Sequence, residues 1–351
     1  MVRIPEISPP TLEWIGDETG SLQLIDQTLL PRTLKVLDIQ DCATLIDAIQ
    51  RLAIRGAPAL GVAAAYGAAL AAREAATPQE WDQALQALRA SRPTAVNLFF
   101  ALARAEDIAR REREKGWDPQ RLLRLLLDEA RNMHRQDQEL CLAMGRHGAE
   151  LLRDGMRILT HCNTGRFATA GIGTAFGVLV TAHAQGKDLF VYADETRPLL
   201  QGARLTAFEL EERGIPGALL CDGAGPGLIL SGEVDAILVG ADRIAANGDT
   251  ANKVGTLPLA LAARHAGLPF YIVAPTTTLD PETREGREIV IEERDPREVT
   301  LGPEEGRCPP GFPARNPAFD VTPAELITAL VTEKGVASPP FSSRIQDWAA
   351  E

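Results

Sequence analysis

The chain has 351 residues, of which 45% are hydrophobic and 24% charged, and it is long enough to bury a large core without disulfides. Its formal net charge of −12 argues against a nucleic-acid partner, because phosphate backbones are held by clustered lysine and arginine. One small anionic ligand, held by a few placed cations, remains compatible with this charge. The five cysteines form no CxxC pair, which argues against a zinc cluster and favours a reducing, cytoplasmic location.

The first 130 residues are predicted to form a mainly helical domain with a small β element. Residues 11–30 alternate loosely around a turn signal and predict a hairpin. Helical periodicity follows over residues 43–54, 79–90 and 95–115, and the Asp118–Pro119 pair predicts the start of another helix, with a further one near 137–152. Residues 57–72 are apolar, rich in alanine and shorter than a membrane span, so they predict a buried helix and no membrane partner.

The pattern changes near residue 154, and the second predicted domain, residues 131–351, is Rossmann-like. Short apolar runs at 156–160, 189–193, 218–221, 235–239 and 270–274 alternate with helical stretches near 169–184, 203–213 and 254–265. Strands that alternate with helices indicate βαβ units and a parallel sheet, hence an α/β fold. Residues 282–317 predict a long irregular excursion, and the capping-box spacing at 322–325 predicts a last helix over 324–334.

Polar residues follow four of the predicted strands at their carboxyl ends, where open parallel sheets bind ligands. These polar sets are residues 161–165, 194–197, 222–223 and 240–243. They would bring the thiol of Cys162 and the carboxyl group of Asp242 to one crevice.

Candidate phosphate-binding groups fall into two kinds. The glycine-rich segment 165–177 leads into a helix, so it predicts either an anion cradle or close helix–strand packing. Arg55, Arg92 and Lys253 are candidate cations for a phosphate, although a single arginine is more often a solvated surface residue. The histidines have no metal-ligand spacing, so no metal is predicted.

Five segments, taken together and in order, resemble the methylthioribose-1-phosphate isomerase family over nearly the whole chain. They are IRGAPALGVAAAYG (54–67), THCNTGRFATAGIGTAFGV (160–178), DETRPLLQGARLTAFEL (194–210), VGADRIAANGDTANKVGT (239–256) and FDVTPAELITALVTEKGV (319–336). The same fold is shared with regulatory subunits of a translation-initiation exchange factor and with ribose-1,5-bisphosphate isomerase.

The resemblance implies both a reaction and a set of site residues. The reaction converts 5-methylthioribose 1-phosphate into its ketose in methionine salvage, without a metal or nucleotide cofactor, in a homodimer. Cys162 and Asp242 match the catalytic pair, with Asp242 as proton donor. The matching substrate-binding positions are Arg55, Gly56, Ala57, Arg92, Gln201, Asn252 and Lys253.

Three functions therefore compete at the level of sequence. The first is the methylthioribose enzyme, and the second is an isomerase for ribose 1,5-bisphosphate or another 5-substituted pentose phosphate. A second phosphate would need more cations, whereas a methylthio group needs an apolar slot. The third is a non-catalytic regulatory subunit that binds a partner protein, and the presence of both Cys162 and Asp242 argues against it.

Overall fold

A computed structural model describes residues 4–92, 95–301, 308–309 and 311–350, which form two compact units. We call the first the helical unit, comprising Pro5–Cys141 and Arg166–Gly173. The second, the sheet unit, contains Leu142–Gly165 and the chain from Thr174 onward. The division into domains at residue 130 stays a prediction. No helix among the described residues combines the length and apolarity needed to cross a membrane.

The helical unit begins with the predicted hairpin, which a third antiparallel strand extends. Its strands are β1 Leu12–Ile15, β2 Ser21–Ile25 and β3 Val36–Ile39. Its helices are α1 Cys42–Gln50, α2 Ala57–Glu74, α3 Pro78–Ala90, α4 Val96–Arg113 and α5 Pro119–Ala149, the last of which extends beyond the unit.

Helix α2 is the centre of this unit and is buried along almost all of its length. Its small side chains allow neighbouring helices to approach closely. A Cβ added to Gly67 would lie 2.7 Å from the Leu88 side chain and 2.8 Å from the Leu45 side chain, so a larger residue would have to displace both. Helix α3 starts at a capping box in which Thr77 and Glu80 satisfy each other's main-chain N–H groups.

The sequence predicts two helices between residues 118 and 152, and this was wrong, because α5 is one continuous helix of 31 residues. Residues 127–136 contain no glycine or proline that would end a helix. Leu127, Ala130 and Met133 are buried at three-residue spacing in the core of the helical unit, so packing carries the helix through.

The sheet unit is built on seven strands in the order β14-β13-β10-β7-β4-β5-β6, in which only the pairing of β13 with β14 is antiparallel. The strands are β4 Arg157–Thr160, β5 Phe190–Asp194, β6 Gly217–Leu220, β7 Ala236–Val239, β10 Phe270–Val273, β13 Ala329–Thr332 and β14 Gly335–Ala337. The helices of this unit are α6 Ala175–Ala184, α7 Ala207–Arg213, α8 Gly225–Leu230, α9 Thr256–Ala266, α10 Arg297–Thr300 and α11 Ser342–Ala350. The prediction of an α/β fold with a parallel sheet after a helical region is confirmed.

A second sheet of four strands, in the order β11-β8-β9-β12, was not predicted. Its members are β8 Arg243–Ala245, β9 Thr250–Lys253, β11 Leu279–Asp280 and β12 Phe319–Thr322. Lys253 directly precedes the helix predicted near residues 254–265, and it is the last residue of β9, which pairs with β12. Helix α9 begins three residues later, after Gly255 with φ +109°.

The predicted helix over residues 324–334 was wrong. A short 3-10 turn at Ala324–Leu326 leads instead into the hairpin of β13 and β14. Each residue of β13 is buried, and the strand pairs with β10, so sheet pairing outweighs the local capping pattern. Part of the predicted excursion over 282–317, residues 302–307 and 310, lies outside the described residues.

Candidate active site

Cys162 and Asp242 follow two strands that are hydrogen-bonded to each other. β4 ends at Thr160 and β7 at Val239, and the two strands run parallel with Leu159 opposite Ile237. The carboxyl ends of both strands therefore meet at the same edge of the sheet. This is the arrangement that the positions of the polar residues in the sequence predict.

Lys253 belongs to the same region, although it lies on the second sheet. Its side chain is buried, its ammonium group donates a hydrogen bond of 2.7 Å to the carbonyl oxygen of Ala318, and it lies 4.9 Å from the centre of the Phe319 ring. Burial lowers the pKa of this ammonium, while the charges of Cys162 and Asp242 oppose that shift. The structure thus places Lys253 where the charges of a thiol and a carboxyl group act on its ammonium group.

Two buried amides belong to the same unit. Gln201 is only 6% exposed, and its Oε1 atom has no hydrogen-bond partner among the described residues. Asn252 is 4% exposed, and its amide donates to Thr256 Oγ1 at 2.9 Å. An unsatisfied buried acceptor destabilises a fold unless something binds it, so Gln201 has the property expected of a ligand-binding side chain.

Gln201 stands at the start of an unusual turn. Residues Gly202–Thr206 are π-helical and run directly into α7, and π-helical turns are frequent at functional sites. A Cβ on Gly202 would lie 1.7 Å from the carbonyl oxygen of Asp194, so only glycine allows the turn to pack against the end of β5. This turn has no signal in the sequence, where the segment has an ordinary helical pattern.

His161, which precedes Cys162 in the sequence, forms a buried pair with Asp194. His161 Nδ1 is 2.9 Å from Asp194 Oδ2, and Nε2 is 2.9 Å from the carbonyl oxygen of Val254, to which it must donate. Burial raises the pKa of Asp194, and His161 opposes the shift. A Cβ on Gly255 would approach the His161 ring to 2.6 Å, so this glycine makes room for the imidazole.

His161, Asp194 and Asp222 are also close enough together to be considered as metal ligands. Most of their donor atoms are already engaged, and Asp194 Oδ1 is the one without a hydrogen-bond partner among the described residues. Both oxygens of Asp222 accept main-chain N–H bonds, from Thr196 and Arg197, each at 2.7 Å, and both nitrogens of His161 are bonded. This donor set fits a hydrogen-bond network better than a metal centre.

Four of the predicted substrate-binding residues, Arg55, Gly56, Ala57 and Arg92, lie in the helical unit. Arg55 Nε donates to Gln27 Oε1 at 3.3 Å, and Ala57 is the first residue of α2. Gly56 has φ +89°, and a Cβ there would meet the main chain of Ala168 at 2.5 Å. Arg92 is half-buried after α3, and residues 93–94 next to it lie outside the described part of the chain.

The glycine-rich segment 165–177 favours packing over an anion cradle. The predicted helix starts later than expected, at Ala175, and Phe176 N–H already donates to Thr164 Oγ1 at 3.1 Å. Gly165 has no room for a Cβ, which would meet the Glu209 carboxylate at 2.0 Å. We therefore assign this segment to helix–strand packing.

Arg166, four residues after Cys162, and Arg197, three residues after β5, are held by main-chain carbonyls. Arg166 is buried, donates to the carbonyl of Pro9 at 3.2 Å and lies 4.3 Å from the centre of the Phe167 ring. Arg197 donates to the carbonyl of Val299 at 2.8 Å. These contacts give both side chains structural roles.

Comparisons with known proteins agree with this architecture. A relative from Syntrophotalea carbinolica, named methylthioribose-1-phosphate isomerase, is 51% identical over 90% of this chain and 93% of its own length. A solved structure from Pyrococcus horikoshii titled 5-methylthioribose 1-phosphate isomerase is 41% identical, with a TM-score of 0.88 and coverage of 97% of this chain and 95% of that one. Another, titled translation initiation factor eIF-2B, subunit delta, from A. fulgidus, is 43% identical, with a TM-score of 0.84 and coverage of 98% and 100%.

A family model also matches most of the sequence. Its description is the initiation factor 2 subunit family, and it matches residues 53–339, which include each predicted site residue of both units. The relatives cover nearly all of this chain as well as nearly all of their own lengths. The chain therefore belongs to the initiation factor 2 subunit family, in the branch that contains the methylthioribose-1-phosphate isomerases.

Proposed function

We propose that this chain isomerises 5-methylthioribose 1-phosphate to 5-methylthioribulose 1-phosphate. The observation that carries the proposal is the placement of Cys162 and Asp242 after two adjacent parallel strands, with Lys253 close enough to interact with both charges. The unpartnered amide oxygen of Gln201 adds an acceptor for a sugar hydroxyl in the same unit. The names of the relatives supply the substrate.

The substrate sets a specific chemical problem. Its anomeric oxygen carries the phosphate, so the ring cannot open as a free sugar does. An acid must protonate the ring oxygen as the bond to C1 breaks, and a hydrogen must leave C2 and arrive at C1. Two groups with different proton affinities suit these two tasks. The product has the same atoms as the substrate, so no external oxidant or reductant is needed.

In the proposed mechanism, Asp242 donates a proton to the ring oxygen. Cys162 then takes the proton from C2, which leaves a C1–C2 enol. The Cys162 thiol reprotonates C1, and the O2 hydroxyl proton passes to the Asp242 carboxylate as the C2 ketone forms. In the alternative route a hydride passes directly from C2 to C1, and Cys162 and Asp242 act only on the oxygens. In both routes the atoms and charges balance. In both, Asp242 donates a proton and Cys162 accepts one.

The binding residues are assigned by charge and hydrogen-bonding capacity. Lys253 would hold the phosphate, which favours point-charge or bidentate cations, and Arg55 and Arg92 of the helical unit stay candidate phosphate-binding residues. Gln201 and Asn252 would bind sugar hydroxyls through their amides. The loop of Gly56 and Ala57 would contribute main-chain and apolar contacts, since Ala57 is partly exposed at the start of α2.

A second function is favoured by one observation. The A. fulgidus structure titled as an initiation-factor subunit is as similar to this chain as the isomerase structure is. A subunit that acts only by binding a partner protein would have no use for a thiol and a carboxyl group whose charges act on a buried ammonium group. The assay below separates the two functions, because only the isomerase consumes the sugar phosphate.

The test is a proton NMR assay of the purified chain with 5-methylthioribose 1-phosphate in D₂O. We expect the ketose to form, and deuterium at C1 would favour the enol route, whereas retained hydrogen would favour the hydride shift. A chain that leaves the substrate unchanged would contradict the proposed function.

Chemical modification of Cys162 supplies a second test. Of the five cysteines, Cys42 and Cys141 are buried, so Cys221→Ser combined with Cys308→Ser leaves Cys162 as the accessible thiol. Iodoacetamide should inactivate this background, and substrate should protect it. Full alkylation of Cys162 with activity intact would make the thiol structural.

We also propose that the chain is a homodimer, as the family resemblance implies. Sedimentation should give twice the mass of one 37.8 kDa chain at micromolar concentration. A mass near that of a single chain would contradict the dimer without affecting the proposed reaction.

A further inference from the structure

The backbone of Cys162 is in a conformation that non-glycine residues seldom adopt. Its φ is +65°, in the left-handed region, where the Cβ crowds the following carbonyl oxygen. Such a conformation persists only when the surroundings enforce it, and it occurs most often at functional sites. The contacts of the main-chain groups of Cys162 therefore identify the residues that hold it.

Two threonine hydroxyls bond the main chain of Cys162 on either side. Its N–H donates to Thr196 Oγ1 at 2.9 Å, and its carbonyl oxygen accepts from Thr206 Oγ1 at 2.6 Å. Thr196 is 0% exposed and Thr206 is 1% exposed, so neither bond competes with bulk water. The two hydroxyls come from different segments, one after β5 and one from the π-helical turn.

Thr196 is itself held rigidly. Its N–H donates to Asp222 Oδ1 at 2.7 Å, and its hydroxyl donates to the carbonyl oxygen of Asp194 at 3.0 Å. Because the single hydroxyl proton points to that carbonyl, the lone pairs remain for the N–H of Cys162. Thr196 also has a positive φ of +64°, which marks this segment as one shaped by its hydrogen bonds.

Thr206 is oriented in a comparable way. It is the last residue of the π-helical turn, and its hydroxyl accepts from the amide of Asn163 at 3.3 Å while it donates to Cys162. The same amide donates to Glu209 at 2.6 Å. The π-helical turn thus has a function in this arrangement, since it places a threonine hydroxyl against the carbonyl of the residue that carries the thiol.

We propose that Thr196 and Thr206 are positioning residues that together fix the left-handed backbone of Cys162 and thereby aim its thiol. The expected effect of these threonines on turnover rests on the proposed function. Their effect on the position of the thiol does not, because the alkylation of Cys162 can be measured without substrate. The network also gives Asp222, which follows β6, a role as the acceptor of the main-chain N–H groups of Thr196 and Arg197.

The experiment compares Thr196→Val and Thr206→Val, which keep the side-chain shape and remove the hydroxyl, with Thr196→Ser and Thr206→Ser, which retain it. Thr181→Val is the matched control, because Thr181 is a buried threonine of the same unit whose hydroxyl bonds only the Gly177 carbonyl among the contacts described. All variants are made in the background of Cys221→Ser and Cys308→Ser. For each variant, kcat and KM are measured. The rate at which iodoacetamide alkylates Cys162 is measured by mass spectrometry at a series of pH values.

We expect each valine variant to lose about 10- to 100-fold in kcat, with KM changed less than about 3-fold, because misplacing a reacting group costs turnover more than binding. The alkylation profile of Cys162 should change in the same variants, while the serine variants and Thr181→Val stay near the background. The proposal would be overturned if both valine variants had the same kcat and the same alkylation profile as Thr181→Val. If Thr196→Val does not fold, Thr206→Val and Asp222→Asn test the proposal instead. If the background has no isomerase activity, the alkylation profile alone tests it.

Discussion

The two units differ in what they bury. The helical unit has an almost continuous apolar core of alanine and leucine, in which glycines such as Gly67 allow close helix packing. The sheet unit also has an apolar core, but at the carboxyl edge of its strands it buries a connected set of polar groups around Cys162. Buried polar groups destabilise a fold unless they are bonded, so their concentration at one edge indicates function, whereas the helical core indicates stability.

The largest effect on turnover should come from a substitution of Asp242 among the polar residues at the carboxyl edge of the sheet. Asp242→Asn keeps the shape of the side chain but cannot cycle a proton, so we expect kcat to fall by at least ~10²-fold while substrate still binds. The control is Asp235→Asn, which lies at the opposite end of β7 and pairs with the half-exposed Arg157. Steady-state kinetics of both variants make the comparison, and near-normal turnover by Asp242→Asn would remove this residue from the mechanism.

The helical core should respond in stability and not in turnover. Leu70→Ala removes a fully buried side chain from the C-terminal half of α2, and we expect the free energy of unfolding to fall by about 2–5 kcal/mol. Trp14, Trp81 and Trp117 all lie in this unit, so tryptophan fluorescence during urea unfolding reports mainly on it.

Leu125→Ala is the control for this prediction, because Leu125 is an exposed leucine of α5 and its loss should change stability far less. Turnover per folded molecule should remain close to wild type in both variants. A loss of kcat in Leu70→Ala comparable to that of Asp242→Asn would erase the distinction between the two units.

The helical unit also buries carboxyl groups, and Asp137 is one of them. Burial raises its pKa to about 6 from the usual 3.8, although its Oδ2 accepts a hydrogen bond of 2.6 Å from Ala170 N–H. The folded state therefore holds a proton that the unfolded state has released between pH 4 and 6. Stability contributed by this group is present below pH 4 and is lost as pH rises through about 6.

Asp137→Asn should remove this pH dependence. We expect the variant to gain up to about 3 kcal/mol relative to wild type at pH 8 and to gain little at pH 4, using 1.36 kcal/mol per pKa unit. Urea unfolding at the two pH values measures the difference, and Asp128→Asn on the exposed face of the same helix is the control. An equal effect of Asp137→Asn at both pH values would mean that Asp137 does not titrate in this range.

The strands of the parallel sheet were predictable because each is a short buried run followed by polar residues. That pattern also predicted that Cys162 and Asp242 reach one edge, since it depends only on strand direction. The strand β13 was not predictable, because residues 322–325 have a helix-capping pattern and only pairing with β10 overrides it. The position of Lys253 at the end of β9 depends similarly on pairing with a strand more than sixty residues away.

The role of the threonines was equally hidden. Thr196 follows a strand and was among the polar residues at the edge, but nothing in the sequence indicates that its hydroxyl would accept from Cys162. Thr206 sits in a segment of helical pattern, and only the π-helical geometry turns its hydroxyl toward Cys162. Site residues that act through backbone geometry leave no compositional signal.

The central claim is tested most directly by measuring kcat/KM for two substrates that differ at C5. A methylthio group needs only an apolar slot, worth about 1–2 kcal/mol by buried area, whereas a 5-phosphate there would lose its hydration without a paired cation. We predict that kcat/KM for 5-methylthioribose 1-phosphate exceeds that for ribose 1,5-bisphosphate by ~10²-fold or more. Equal or reversed values would contradict the assignment to 5-methylthioribose 1-phosphate and leave a pentose-phosphate isomerase of different specificity.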